Sequence, residues 1–290
     1  MEMFELKYFL GVAAQENIHR ASEILFISPA SLSKAISRLE EELSIKLFYR
    51  DGRNIRLTDH GKLLQIRASE MVELEQKTTM ELSGFKGTIQ VQMIGPEILL
   101  SKMGLELSEI ILKKYPLAKM EYLMADDDCA VESVIKGQAH LALITKDITS
   151  DKNLFTKIYS KTQFYTFVGK GHPLYARAKS KKEISIDEVL TYPFVSPSNS
   201  FLGKVGDKQS FDGWRDDKFL RTISYRTSSL KMIEELLESG SALAYLPEYL
   251  GKNINVVAIN MLGCSNTCKQ NIKVVTRHSL KRAGWLNQIL

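Results

Sequence analysis

The feature that most narrows what this chain can fold into is a short run near its start, Phe26-Ile27-Ser28-Pro29, and the helix it announces. Ser28 is a good N-cap, because its hydroxyl can accept from a backbone N–H that has no partner inside the helix. Pro29 is preset for the first helical position, where a missing N–H costs nothing. The helix that follows, to about Leu43, places Leu32, Ile36, Leu39 and Leu43 on one face and Ser31, Ser33, Lys34, Ser37 and Arg38 on the other. Upstream, Leu6, Phe9, Leu10 and Ala13 recur at helical spacing, Asn17-Ile18-His19 breaks the pattern, and a second short helix carries Ala21, Ile24 and Leu25. Downstream, Lys46–Arg50, a turn at Asp51-Gly52, and Ile55–Thr58 read as strand, turn, strand. Three short helices and a hairpin therefore occupy residues 1–58.

That arrangement suits a winged helix-turn-helix, whose second helix enters the DNA major groove with small, polar and cationic residues at the base edges. Ala30, Ser31, Ser33, Lys34 and Arg38 meet the requirement. Hydroxyls pair with any base, and Lys or Arg reach guanine or phosphate. The hairpin adds Arg50, Arg53 and Arg56, placed to contact the backbone or the adjacent minor groove. Net charge, +5 overall, does not carry this reading. Residues 1–58 hold eight Lys/Arg against eight Asp/Glu, so only the local clusters count.

From Asp59 to about Lys86 there is no proline, and Leu64, Ala68, Met71, Glu75, Thr78, Leu82 and Phe85 repeat in steps of four and three. This predicts a helix of about 40 Å at 1.5 Å per residue, with a heptad-like seam suited to a dimer. From Thr88 the texture changes to strands alternating with helices: strand Thr88–Ile94, helix Leu99–Lys114, strand Lys119–Met124, helix Cys129–Lys136 ended by Gly137, and strand Leu141–Thr145. Strands at Phe155–Tyr159 and Phe164–Gly169 precede a second α/β region, and Leu280–Leu290 reads as a terminal helix. Such alternation implies a mostly parallel sheet with right-handed crossovers.

At this point the sequence resembles a known family. The run from Ala21 to Leu43, with Leu47-Phe48-Tyr49-Arg50 and Leu57-Thr58-Asp59-His60-Gly61, is similar to the N-terminal signature of LysR-type transcriptional regulators. Gly171-His172-Pro173-Leu174 and Leu237–Pro247 follow in the family's order. Where family members often carry Gln then Pro after the capping Ser, this chain has Pro29-Ala30, which shifts readout toward Ser31, Ser33 and Lys34. Ser44 stands where the family usually has Gly, and His140 where it has an acid. His140 reads as structural. The resemblance implies an α/β effector module of two subdomains, like a periplasmic binding protein, with a small ligand in the cleft between them.

The expected organisation is then a winged helix-turn-helix over 1–58, a linker and dimerisation helix over 59–87, one effector subdomain over 88–162 with 271–290, and a second over 163–270. Ligand loops follow the carboxyl ends of strands in such folds. Pro96, Glu97, Asp126, Thr145, Lys146, Ser196, Ser198, Ser200 and Thr227 are the candidate effector contacts. Hydroxyls and helix N-termini there suit an anion, while Glu97 and Asp126–Asp128 suit an amine or a ligand of mixed charge.

The expected partners are double-stranded DNA, further copies of the chain as homodimer or homotetramer, a small-molecule effector and RNA polymerase. No cofactor, metal or membrane is expected. The N-terminus is acidic and no apolar run approaches about 18 residues, so the expected compartment is the cytoplasm. Three cysteines, an odd number, argue against a disulfide framework. Cys264 and Cys268 leave a redox-responsive regulator of the same fold open. No Gly-rich phosphate loop, Gly-x-Ser-x-Gly elbow or His-Glu-x-x-His motif points to an enzyme. A solute-binding protein without DNA function would account for the α/β part alone.

Overall fold

Ser28 caps its helix as expected: the Ser31 N–H donates to Ser28 Oγ at 3.1 Å. In this computed structural model all residues are described except 53, 83–88, 149–152, 200–201, 204–209, 252–253, 265–267 and 284–290. Arg53, Ser200, Phe85 and the last seven residues of the expected terminal helix therefore lie outside the described residues. Helices α1 (Met3–Gln15), α2 (Ile18–Leu25) and α3 (Pro29–Leu43) pack with the hairpin β1 (Phe48–Asp51) and β2 (Asn54–Leu57). Leu6, Phe9, Val12, Leu32, Leu39 and Leu47 fill the space between them.

Helix α4 (Asp59–Leu82) follows without a break in the described chain. Its four-three repeat does not run as one free seam. Leu64, Ala68 and Val72 join the apolar core of the first three helices, whereas Met71 and Leu82 are exposed. The physical reason is size: a unit of some 58 residues buries too little surface by itself, and α4 covers its open side. A neighbouring stripe of α4 meets the α/β part, where Ser69 is buried and Glu73 pairs with Arg277.

The remainder is built on β3 (Gln90–Gly95), α5 (Glu97–Leu99), a wider π-type turn at Leu100–Gly104, α6 (Leu105–Lys114), β4 (Lys119–Met124), α7 (Asp127–Ile135), β5 (Leu141–Ile144) and β6 (Leu154–Gly169). Then come α8 (Tyr175–Lys179), β7 (Ile184–Ser185), α9 (Ile186–Val189), β8 (Phe194–Pro197), β9 (Ile223–Thr227), α10 (Leu230–Glu238), β10 (Leu243–Pro247) and α11 (Glu248–Gly251). Strands β11 (Val256–Ala258), β12 (Met261–Leu262) and β13 (Lys269–Arg277) and helix α12 (His278–Ala283) complete it.

The large sheet runs β4-β3-β5-β13-β6-β10-β8-β9, with β11 added on β6. The β3–β4, β3–β5, β8–β9 and β8–β10 pairs are parallel, as the alternation predicts. Strand β6 is one continuous strand of 16 residues where the sequence suggests two. Its first part pairs with β13 and its last part with β10 and β11, so it serves both halves of the sheet. The polar stretch Ser160–Gln163 between its apolar ends lies opposite Lys269–Ile272 of β13.

Candidate functional sites

On α3 the predicted reading face is open. Ala30, Ser31, Ser33, Lys34, Ser37 and Arg38 are all exposed, while Leu32, Ile36 and Leu39 are buried beneath them. In the hairpin, Asp51 of β1 pairs with Asn54 of β2, and Gly52 at the turn takes a positive φ of 61°. Such a turn needs φ > 0, hence glycine. Arg50 is exposed.

Two of the predicted arginines are already engaged. Arg38 Nε lies 2.9 Å from Glu5 Oε1, and Arg56 is held by Glu16 and Asp51. Those carboxylates hold the Arg56 guanidinium above its ordinary pKa, the hydrogen bond that Arg56 donates to Glu16 being the main cause. Lys34 and Arg50 are thus the more available cations on the described reading surface.

What sequence reasoning missed is Glu40. Its carboxylate, nearly buried on α3, accepts from the backbone N–H groups of Leu47 at 2.8 Å and Phe48 at 3.2 Å and from Lys46 Nζ at 2.6 Å. One side chain therefore locks the reading helix to the start of the hairpin. Charge-assisted bonds of this kind are roughly twice as strong as neutral ones. The only sequence signal is an acid one turn before the helix end, hidden in the run Glu40-Glu41-Glu42.

In the α/β part, Gly95 and Met124 lie side by side at the ends of β3 and β4. Pro96-Glu97 and Asp126 consequently neighbour each other. Asp126 itself caps α7, accepting from the Cys129 N–H at 2.8 Å. The inward carboxylate is Asp127, which is buried and accepts from Thr145 N–H, Thr145 Oγ1 and Lys146 N–H at 3.2, 2.8 and 2.9 Å. Lys146 Nζ pairs with Asp128. Behind them Lys273 donates from Nζ to the Thr145 and Lys146 carbonyls and to Asp147, which holds the Asp147 carboxyl below its usual range.

The chain itself enters this region. Leu202 is fully buried, and its carbonyl accepts from Gln270 Nε2 at 3.0 Å. Gly203, at φ 80°, lies so close to Thr145 that a Cβ there would stand 2.5 Å from the threonine hydroxyl. On the opposite half, the Ser198 N–H donates to the Thr227 carbonyl at 2.9 Å. The Thr227 hydroxyl accepts from Ser229 N–H at 3.1 Å, and Ser196 is buried at the end of β8. The predicted contacts thus cluster at the strand ends of two half-sheets, and several of them already hold the loops together.

Cys268 is buried, and burial pushes its thiol up to about 11. That is opposite to the low-pKa, accessible thiol a redox switch uses. His140 is structural: its Nδ1 accepts from Gln92 N–H at 3.0 Å, and burial lowers its pKa to about 4.

Residues 3–62 match the bacterial regulatory helix-turn-helix protein of the lysR family. Residues 106–282, more than half of the chain, match the LysR substrate binding domain. The chain is 30% identical to the HTH-type transcriptional regulator IlvY of Escherichia coli K12, over 87% of this chain and 84% of that one. It is 27% identical to the transcriptional dual regulator GltC of Bacillus subtilis, over 86% and 81% respectively. A full-length OxyR variant from Pseudomonas aeruginosa shares the fold with a TM-score of 0.63 and 19% identity, covering 97% of this chain and 91% of that chain. With a winged reader, a long helix and a two-part α/β module in this order, the chain belongs to the LysR family of DNA-binding, effector-controlled transcriptional regulators.

Proposed function

We propose that Ser33, Lys34 and Arg50 are the principal DNA contacts on the described surface, with Ala30 and Ser31 lining the groove. Arg38 and Arg56 then act mainly by shaping the face, through Glu5 and through Glu16 and Asp51. The observation that carries this reading is an exposed polar stripe on α3 fixed to the hairpin by the buried Glu40 carboxylate. Rigid presentation matters because base readout needs side chains held to well under an ångström.

The effector fits between the ends of β3, β4 and β5 and the loops after β8 and β9. Asp128 takes up the Lys146 charge, and Asp147 takes up that of Lys273. Glu97 and Asp126 at adjacent strand ends therefore favour an effector with an amine or a mixed-charge end. The protein works in the cytoplasm as a homo-oligomer, addresses RNA polymerase from its DNA site, and acts by binding rather than by catalysis.

Fluorescence anisotropy on a DNA fragment from upstream of the protein's own gene tests the reader. Lys34→Ala is expected to weaken specific binding by about 1–3 kcal/mol if it touches a base. If it touches phosphate, it lowers the salt slope by about one. Unchanged affinity and an unchanged salt slope would remove Lys34 from the face.

A further inference from the structure

We infer that the half of the sheet containing β10 and β11 carries a second small-molecule site, a pocket for an uncharged flat aromatic compound bearing one hydrogen-bonding group. The pocket measures about 340 Å³ and is walled by the rings of Phe164, Tyr165, Trp214 and Tyr245. That volume falls within the range of ligand pockets, roughly 300–1,000 Å³. None of the described effector candidates lines it, so it is separate from the cleft at the strand ends.

The walls are fixed before any ligand arrives. Trp214 is edge-on to Tyr245 with centroids 5.1 Å apart, and Phe164 lies 5.6 Å from Tyr245. The indole Nε1 donates to the Phe219 carbonyl at 2.8 Å. The Arg221 guanidinium lies over the indole, 5.3 Å from the ring, and is itself clamped by Asp212 and Asp216. Stacked and edge-on ring geometries are what such walls offer a flat guest.

One polar group in this setting has no partner. Thr166 is 1% exposed and lines the pocket, and its Oγ1 makes no hydrogen bond among the described residues. Its backbone carbonyl, by contrast, accepts from Ile259 N–H at 2.8 Å. Buried hydroxyls without partners are uncommon and unfavourable, so this one marks where a ligand group would dock. Among the described residues, no Lys, Arg, Asp, Glu or His lines the pocket, and an unpaired charge among these rings would be strongly disfavoured. The ligand is accordingly neutral. It would touch β6, the strand common to both halves, and the Ala258–Asn260 segment at once.

Indole serves as the probe, with benzoate as an anion of similar shape. Isothermal titration of the full chain is expected to show saturable one-to-one binding of indole, with benzoate at least about tenfold weaker. Cys264 also lines the pocket. Indole should therefore slow its alkylation by iodoacetamide, read by mass spectrometry, and leave the exposed Cys129 unaffected. Ala258→Trp, at an exposed position on the rim, should fill the pocket and weaken indole at least about tenfold. Thr166→Val, which keeps the shape, should weaken it severalfold, and melting curves report that both variants are folded. The proposal is overturned by absent saturable binding, by binding that folded Ala258→Trp and Thr166→Val leave unchanged, by benzoate binding as well as indole, or by Cys264 reacting at the same rate with indole bound.

Discussion

Ser44 shows how a single backbone angle is readable in a sequence. It ends α3 in the left-handed conformation, φ 54° and ψ 32°, at a position where the resemblance leads one to expect glycine. A non-glycine residue there costs about 1–2 kcal/mol, and the Ser44 side chain is exposed. Ser44→Gly should raise the stability of the reader by about 1 kcal/mol in urea unfolding, and a loss of stability would contradict the strain. His140 gives the pH counterpart. Its folded pKa, lowered to about 4 by burial, lies below the unfolded value of about 6.5. The unfolded state therefore binds the proton first, and the stability contributed by neutral His140 is full above about pH 6.5 and lost as pH falls toward 4. His140→Asn, which keeps an acceptor for the Gln92 N–H, should flatten the urea midpoint between those pH values. An unchanged slope would assign the acid sensitivity to other groups.

Elements were legible wherever their signals are local. The cap at Ser28, the glycine turn at Gly52, the parallel strands and the helix stop at Gly137 all follow from a few neighbouring residues. The chain's long-range decisions were not legible. Nothing in the run Asp126-Asp127-Asp128 says which carboxylate turns inward; the start of α7 decides it, leaving Asp126 as cap and Asp127 on Thr145. Helix α4 likewise carries two faces that one periodicity cannot separate. Its second face rests on Gly137, whose φ is 75° and where a Cβ would lie 2.0 Å from Ser69 Oγ. Gly137→Ala should therefore destabilise the chain by at least about 1–2 kcal/mol from the backbone alone, and Ser69→Gly in the same chain should recover part of the loss. A wild-type urea midpoint for Gly137→Ala would mean that α4 does not rest there.

At the scale of the whole molecule, a chain of contacts among the described residues leads from reader to sensor. Lys7 of α1 meets Glu75 of α4 at 3.0 Å, Glu73 of α4 meets Arg277 of β13, and Arg277 donates to the Val134 carbonyl at the end of α7. Helix α7 also presents Asp127 to Thr145, so a candidate effector contact and the linker helix both reach α7. An effector can shift the regulator only by binding one arrangement of the two subdomains better than another. Movement around β6 and β13 would then reorient α4 and the paired readers, whose half-sites recur about every 10 base pairs. A thermal-shift screen of metabolites supplies the effector, since 100 times its dissociation constant adds about 2.7 kcal/mol of stability. The decisive measurement is a footprint with bend analysis on the same DNA, with and without that effector. The account predicts that the half-site bases touched by α3 stay protected while the length of protection or the bend angle changes. Identical protection and bend, in the face of altered transcription, would contradict it.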